Sequence, residues 1–232
     1  MTLKQSLLTA LIALAAGFAG AGLWSMAGLD DTQTRKYLLE NPQILPEMVA
    51  AYERGESQAK LAEVADGVGE PFPGAVLGDP EGSVTLVEFS DYNCTYCRAS
   101  LPHVKQLIAD NPDLRVVLRE WPIFDGSEDA ARMALAAAKQ GKFAAFHDAM
   151  FEIGSSSAAG IEAAATRAGL DLERAQNDAG SDDITAELAR NQQLARSIGF
   201  TGTPSWIAGD QVIEGAVGPA RLAEALDSGE SS

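Results

Sequence analysis

Residues 84–120 constrain the fold of this chain more than any other stretch. VTLVEF, residues 84–89, is a short run of apolar and β-branched residues, the pattern of a strand buried on both faces. A turn at residues 90–93 leads into CTYCRASLPHVKQLIAD, and LRVVLRE, residues 114–120, is a second such run. Strand, helix and strand in this order predict a parallel pair with a crossover helix, because no tight turn can join parallel strands. The only two cysteines of the chain, Cys94 and Cys97, stand where that helix opens.

The chain after residue 127 reads as helical up to residue 198. Ser127 is placed to cap AARMALAAAKQ, which Gly141 ends. Residues 142–153 carry Phe143, Phe146, His147, Met150 and Phe151 on one helical face, with Gly154 as the stop. Two helices follow around 161–168 and 172–179, and a third over 184–198 ends at Gly199. Residues 204–208, Gly209-Asp210 and residues 211–214 then make a hairpin with a two-residue loop. Gly218-Pro219 opens a last helix, ARLAEALD. The order is β-α-β, helical insert, β-β-α: an α/β chain with a small mixed sheet covered by helices on both faces.

The N-terminal stretch MTLKQSLLTALIALAAGFAGAGLWSMAGLDD has no charge between Lys4 and Asp30. Its core LLTALIALAA fits the apolar region of an export signal, and Ala19-Gly20-Ala21 and Ser25-Met26-Ala27 are candidate cleavage triads. The uncharged run 5–29 is also long enough for an uncleaved bilayer tether. Both readings put the remainder outside the cytoplasm, where a disulfide persists. Residues 35–40 make a short helix stopped by Asn41-Pro42, and Asn41 is placed to cap the next helix. There Ile44, Met48, Val49 and Tyr52 recur at helical spacing, an arm that lies on its own domain or packs against another chain. EPFPGAVLGDPEG, residues 70–82, is a Gly- and Pro-rich linker carrying one edge strand, AVLG. With 33 Asp and Glu against 17 Lys and Arg, the formal charge is −16. Nucleic acid is thereby excluded as a partner, since phosphates demand a basic patch.

A thiolate, not a thiol, performs disulfide exchange. Cys94 sits at the N-cap position, where free first-turn amides and the helix dipole favour an anion. Cys97, Leu101, Val104 and Ile108 form one apolar stripe, so Cys97 faces the sheet and Cys94 lies at an exposed tip. Cys94 therefore attacks and Cys97 resolves. A structural staple is the weaker reading: a four-residue ring stabilises by about 2 kcal/mol in the loop-entropy picture, against about 3 for fifteen residues. Zinc needs four ligands, and His103 lies about 120° round the helix from Cys97. Copper(I) on the cysteines alone stays open. Glu88, in the middle of the apolar strand, is a buried acid placed to exchange a proton with Cys97, or else an edge residue in solvent. Pro204 opens a strand, cis or trans; a cis bond would leave the preceding backbone free to pair with a peptide. His147, Trp121 and Trp206 read as core. Arg98 adds positive charge near Cys94 or is merely exposed. Tyr92 and Tyr96 form an apolar lip for peptides or pack the domain.

VEFSDYNCTYC, the helical insert and GTPSWIAG together resemble the DsbA family of periplasmic thiol-disulfide oxidoreductases, over about residues 70–229. The resemblance implies a thioredoxin fold with an inserted helical domain. It implies a nucleophile at Cys94, a resolving thiol at Cys97, a buried acid at Glu88, a cis Pro204 preceded by Thr203, and a helix kink at Pro102. Thr95-Tyr96 departs from the Pro-His of the DsbA oxidases and the Gly-Pro of thioredoxins. Tyr before the second Cys and Thr before the proline are closer to the isomerases DsbC and DsbG and to ScsC. YLLENPQILPEMVAAYE resembles the arm of ScsC-like proteins, which drives oligomerisation.

The expected organisation is a signal or anchor at 1–27, a helical arm at 28–68, the first half of the thioredoxin fold at 69–124, a helical insertion at 125–199 and the second half at 200–229. The expected function is exchange of disulfides with other proteins in the periplasm, as oxidase or isomerase with isomerase favoured. Thr203, Pro204, Thr95 and Tyr96 are the expected substrate contacts, with no cofactor and no metal. Expected partners are unfolded or misoxidised proteins, a membrane redox protein of DsbB or DsbD type, and a second copy bound through residues 30–68. The alternatives are a copper(I)-binding or redox-chaperone module using the same thiolates, and a structural adaptor with an unreactive disulfide.

Overall fold

A computed structural model describes residues 3–26, 29–62, 64 and 67–229. Two compact units divide between Tyr52 and Glu53. The first holds helix α1 (Leu3–Met26), helix α2 (Leu29–Glu40), a 3-10 turn (Pro42–Ile44) and the start of helix α3 (Leu45–Ala62). Asn41 does not cap a following helix as its sequence suggests. Its amide instead donates back to the Tyr37 carbonyl at 2.8 Å and closes α2. Among the described residues no helix is long and apolar enough to cross a membrane.

In the second unit the end of α3 belongs with the sheet. Ser57 Oγ accepts from the Val212 amide at 3.2 Å, and Gln58 donates to Asp210 at 2.9 Å. Leu61 and Val64 join a cluster with Phe89, Val117 and Ile207. These contacts put the division inside α3, earlier than residue 68.

Strands β1 (Val76–Gly78), β2 (Val84–Ser90), β3 (Leu114–Glu120), β4 (Ser205–Ala208) and β5 (Gln211–Glu214) form one sheet in the order β1-β3-β2-β4-β5. β2 and β3 are parallel across helix α4 (Thr95–Asp110), while β1, β4 and β5 join antiparallel. β2 is thus internal, which is why its sequence is apolar on both faces. The helical insert comprises α5 (Glu128–Lys139), α6 (Phe143–Ile153), α7 (Ala158–Arg167), α8 (Leu172–Ala179) and α9 (Asp182–Ile198), and α10 (Pro219–Gly229) closes the fold.

Strand alternation divides the core. Leu86, Leu118 and Trp206 pack with Cys97, Val104 and Leu107 of α4, with the insert and with Leu222 of α10. Val87, Phe89, Val117 and Ile207 pack with Ala195 and Ile198 of α9 on the other face. On that second face Arg119 is fully buried. It pairs with Glu187 at 2.7 Å, bonds Asn191 at 3.2 Å, and donates to the carbonyls of Gly67, Val68 and Glu70. Five partners offset the cost of burying a guanidinium, and they hold the connector ahead of β1.

Candidate active site

The turn after β2 is organised by one carboxylate that sequence reasoning passed over. Asp91 Oδ1 accepts from the Asn93 amide at 2.7 Å, an Asx turn that aims the chain into α4. Its Oδ2 accepts from the amides of Ile123 and Phe124 at 2.7 and 3.0 Å and from Ser127 Oγ at 2.8 Å. Ser127 is therefore not the helix cap its position suggested; no cap bond forms at α5, because its hydroxyl is engaged by Asp91 and the Phe124 carbonyl. Asn93 also donates to the Asp125 carbonyl at 3.0 Å. The loop after β3 is thereby fastened beside Cys94, with Ile123 and Phe124 exposed on it. The legible signal was an Asp two residues before an Asn in a turn.

Cys94 takes the N-cap position of α4, with extended backbone, and its Sγ accepts from the Cys97 amide at 3.4 Å. Its thiol donates to the Thr203 carbonyl at 3.1 Å. Both thiols are free and buried, with Cys94 at 2% and Cys97 at 1% exposure. The exposed tip expected at Cys94 is thus corrected: the segment at Thr203 covers it, and Tyr96, 66% exposed, is the outward residue of the pair. The Cys97 stripe along Val104 and Leu107 does face the core.

Electrostatics separate the two thiols. The Cys97 thiol donating to it, then Thr203 and the amides of Cys97 and Tyr96, bring Cys94 down to about 5 against the opposing effect of burial. Burial, the bond to Cys94 and the charge of Glu88 push Cys97 well above the usual thiol range. Glu88 is 3% exposed, not an edge residue, and burial raises it to about 8. A nearby Cys94 charge adds to that rise and the Ser90 hydroxyl opposes it. The Thr203–Pro204 bond is cis. Its preceding carbonyl accepts from the Cys94 thiol and is freed when Cys94 ionises, while the buried Thr203 hydroxyl, with no partner at hydrogen-bond geometry, stands near enough to favour that thiolate.

The remaining candidates fall outside this cluster. Tyr92 packs rather than forming a lip: it is buried against Phe146 and Phe151 and donates to Glu120 at 3.0 Å. His147 is a buried core histidine, with Nδ1 at 3.1 Å from the Tyr92 oxygen and its pKa lowered to about 4 by burial. Trp121 and Trp206 are core. Arg98 is exposed and lies against Gly154, where a β-carbon would meet its guanidinium at 2.8 Å; Gly154, at φ +70°, closes α6. His103 Nδ1 reaches the Val217 carbonyl at 3.3 Å. Among the described residues, no three His, Cys, Asp or Glu side chains gather as a metal site.

Comparison with known proteins adds a second line of observation. The description "DSBA-like thioredoxin domain" matches residues 85–227, and "Copper resistance protein ScsC N-terminal domain" matches residues 35–59. A thioredoxin-like oxidoreductase from Silicibacter pomeroyi DSS-3 is 43% identical, with a TM-score of 0.65 over 68% of this chain and 92% of that one. The thiol-disulfide exchange protein alpha-DsbA2 from Wolbachia pipientis is 27% identical, with a TM-score of 0.69 over 75% of this chain and 96% of that one. A Na(+)/H(+) antiporter NhaA 1 from Salinispora arenicola is 30% identical over 66% of this chain and 24% of its own length. The chain spans about a quarter of the length of the curated relatives it matches.

Proposed function

We propose, from the premise that this chain belongs to the family of DSBA-like thioredoxin domains and is a thiol-disulfide oxidoreductase, that Cys94 is its attacking thiolate and Cys97 its resolving thiol. The observation that carries this is the placement of the two thiols, Cys94 at the N-cap of α4 accepting from the Cys97 amide and Cys97 one turn in against the core, and the electrostatics agree, with Cys94 lowered to about 5 and Cys97 raised. In the reductive direction Cys94 S⁻ attacks a substrate disulfide and expels one substrate thiolate. Cys97 then attacks Cys94 Sγ, releasing the second substrate thiolate, while its proton passes to the Glu88 carboxylate. Oxidation of a substrate runs the same steps backwards. Glu88, raised to about 8, holds or yields a proton near neutrality, as a general acid or base must. Thr203, whose carbonyl meets Cys94, with Pro204 after it, and Thr95 and exposed Tyr96, next to Cys94 in the chain, are the proposed substrate contacts.

Two variants test this reading. Cys97→Ala is expected to accumulate a covalent mixed disulfide with a disulfide-bonded protein. Cys94→Ala is expected to form none and to lose insulin reduction entirely. Undiminished insulin reduction by Cys94→Ala would refute the assignment.

Within this class we favour an exported isomerase, working in the periplasm on misoxidised proteins and recharged by a membrane partner of DsbB or DsbD type. Support comes from Tyr96 before Cys97, Thr203 before Pro204, and the ScsC-type match at residues 35–59. Leu45, Met48, Val49 and Tyr52 are exposed at helical spacing on α3, a face suited to a second copy through residues 30–68. A higher-than-monomer mass by light scattering at micromolar concentration is the expected result. A monomer there counts against the isomerase. The alternative, copper(I) binding or redox chaperoning by the same thiolates, is favoured by the ScsC-type match alone. Copper(I) titration of the reduced protein with and without Cys97 separates the two.

A further inference from the structure

The step above leaves a second buried acid unused. Glu120, at the end of β3, is 1% exposed and lies on the face of the sheet that carries Glu88. The parallel register sets Glu88 beside Leu118 and Ser90 beside Glu120. The two carboxyls are therefore diagonal neighbours, with backbones about 7–8 Å apart and Ser90 between them. Ser90 Oγ is buried, and no partner meets hydrogen-bond geometry, although the hydroxyl stands near enough to Glu88 to draw its pKa down. A rotatable hydroxyl without a fixed partner, placed between two buried acids, is a bridge able to serve either.

Beyond Glu120 the polar chain continues. Tyr92 donates to Glu120 Oε1 at 3.0 Å, and the same phenol oxygen lies 3.1 Å from His147 Nδ1. A phenol has one hydrogen, so with Tyr92 donating to Glu120, His147 donates to Tyr92. When the proton sits on Glu120 and His147 carries its hydrogen on Nε2, the chain runs the other way, with Glu120 donating to Tyr92 and Tyr92 to His147 Nδ1. We propose that Glu120 is a positioning residue that holds a reserve proton for Cys97, coupled to Glu88 through the Ser90 hydroxyl and closed off by Tyr92 and His147.

This rests on the Cys97–Glu88 reading and extends it by one transfer. When Cys97 leaves as a thiolate, neutral Glu88 gives it its proton, leaving Cys97 S–H and an ionised Glu88. Glu120 then protonates Ser90 Oγ as the Ser90 hydrogen moves to Glu88, leaving Glu88 neutral, Ser90 unchanged and Glu120 ionised. Glu88 is thus refilled, and Glu120 regains its proton afterwards. The charged surroundings agree. Burial, with Asp91 and Glu88 nearby, raises Glu120 well above the carboxylate range against the opposing bond from Tyr92. From α6 come His147 and Asp148, and Asp148 is paired with Lys105 of α4 at 2.8 Å. From α4 come Cys94 and Cys97. From α9, Asn191 donates to the Glu120 carbonyl at 3.1 Å, while Glu187 is held by Arg119 on the opposite face. Among the described residues no Lys or Arg pairs with Glu88 or Glu120, so no cation offsets the cost of ionising either one. Such a pair titrates in two separated steps.

The test is the pH dependence of glutathione attack on the Cys94–Cys97 disulfide, the step in which Cys97 leaves, read with the carboxylic-acid infrared band of the reduced protein at pH 7. The native protein is expected to show two ionisations and an acid band that shrinks in Glu88→Gln and again in Glu120→Gln. Glu120→Gln keeps the acceptor for Tyr92 and is expected to show one ionisation, the upper of the two being lost. If that variant does not fold, Ser90→Ala is the second probe and is expected to retain both acid bands while the two ionisations draw together. A native-like profile or an undiminished acid band in folded Glu120→Gln would overturn the proposal, as would a native-like profile in Ser90→Ala. The infrared reading needs no turnover, so it stands or falls separately from the roles given to Cys94 and Cys97.

Discussion

Alkylation of the reduced protein is expected to modify one thiol, Cys94, with a rate midpoint near pH 5 and a plateau above it. The cause is the hydrogen bond from the Cys97 thiol, joined by Thr203 and the helix amides, which together bring Cys94 to about 5. Two effects of a low pKa compete in the rate. At pH 6 the thiolate fraction exceeds that of an ordinary thiol of pKa about 8.5 by roughly 300-fold. The same stabilisation lowers intrinsic nucleophilicity by roughly 40-fold at the usual Brønsted slope. Ionisation wins, leaving roughly a tenfold advantage before burial slows access. Cys97 is expected to stay unmodified over the same range, because burial and its bond to Cys94 push its thiol up. Cys97→Ala removes the leading donor, so its midpoint is expected to rise. A midpoint between pH 8 and 9 in the native protein would contradict the assignment of Cys94 as the stabilised thiolate.

Glu88→Gln is expected to stabilise the reduced protein by an amount that grows with pH. Folded Glu88 keeps its proton up to about pH 8, while an unfolded chain releases it near 4.5. Folding thus takes up a proton between those values, and stability falls as pH rises through that window. The full cost, reached above pH 8, is about 5 kcal/mol at about 1.36 kcal/mol per unit; at pH 7 it is about 3. Below pH 4.5 the variant and the native protein are expected to be alike. Denaturant titrations at pH 4.5, 7 and 9 measure this directly, and a difference that does not vary with pH would refute it. The same variant is expected to slow Cys97 attack by about a hundredfold, since proton exchange with Glu88 is lost.

The elements of the fold were legible because their signals are local. The strand over 84–90 and the helix after it announce themselves by composition and period, and the crossover follows from chain sterics alone. The helices of the insert and their glycine stops were read to within a few residues for the same reason. Helix caps were read less well. Asn41 and Ser127 have the right chemistry at the right positions, but each side chain found a stronger partner, Tyr37 for one and Asp91 for the other. A cap residue is a polar group in need of a partner, and sequence does not say which one it takes.

By itself the sequence determined that two cysteines open a helix after a buried strand, that Glu88 lies in that strand, and that Cys97 faces inward. Each of these follows from residue spacing against a fixed helical or strand period. Only the tertiary structure decided that Cys94 is covered, because its cover, Thr203, lies 109 residues away in the chain. It likewise decided that Asp91 ties together two loops, and that Glu120 stands beside Ser90 with Tyr92 and His147 behind it. Periodicity tells which face a side chain takes; the register between strands and the docking of the insert choose what it meets there, and for a buried proton or thiolate that neighbour sets the chemistry.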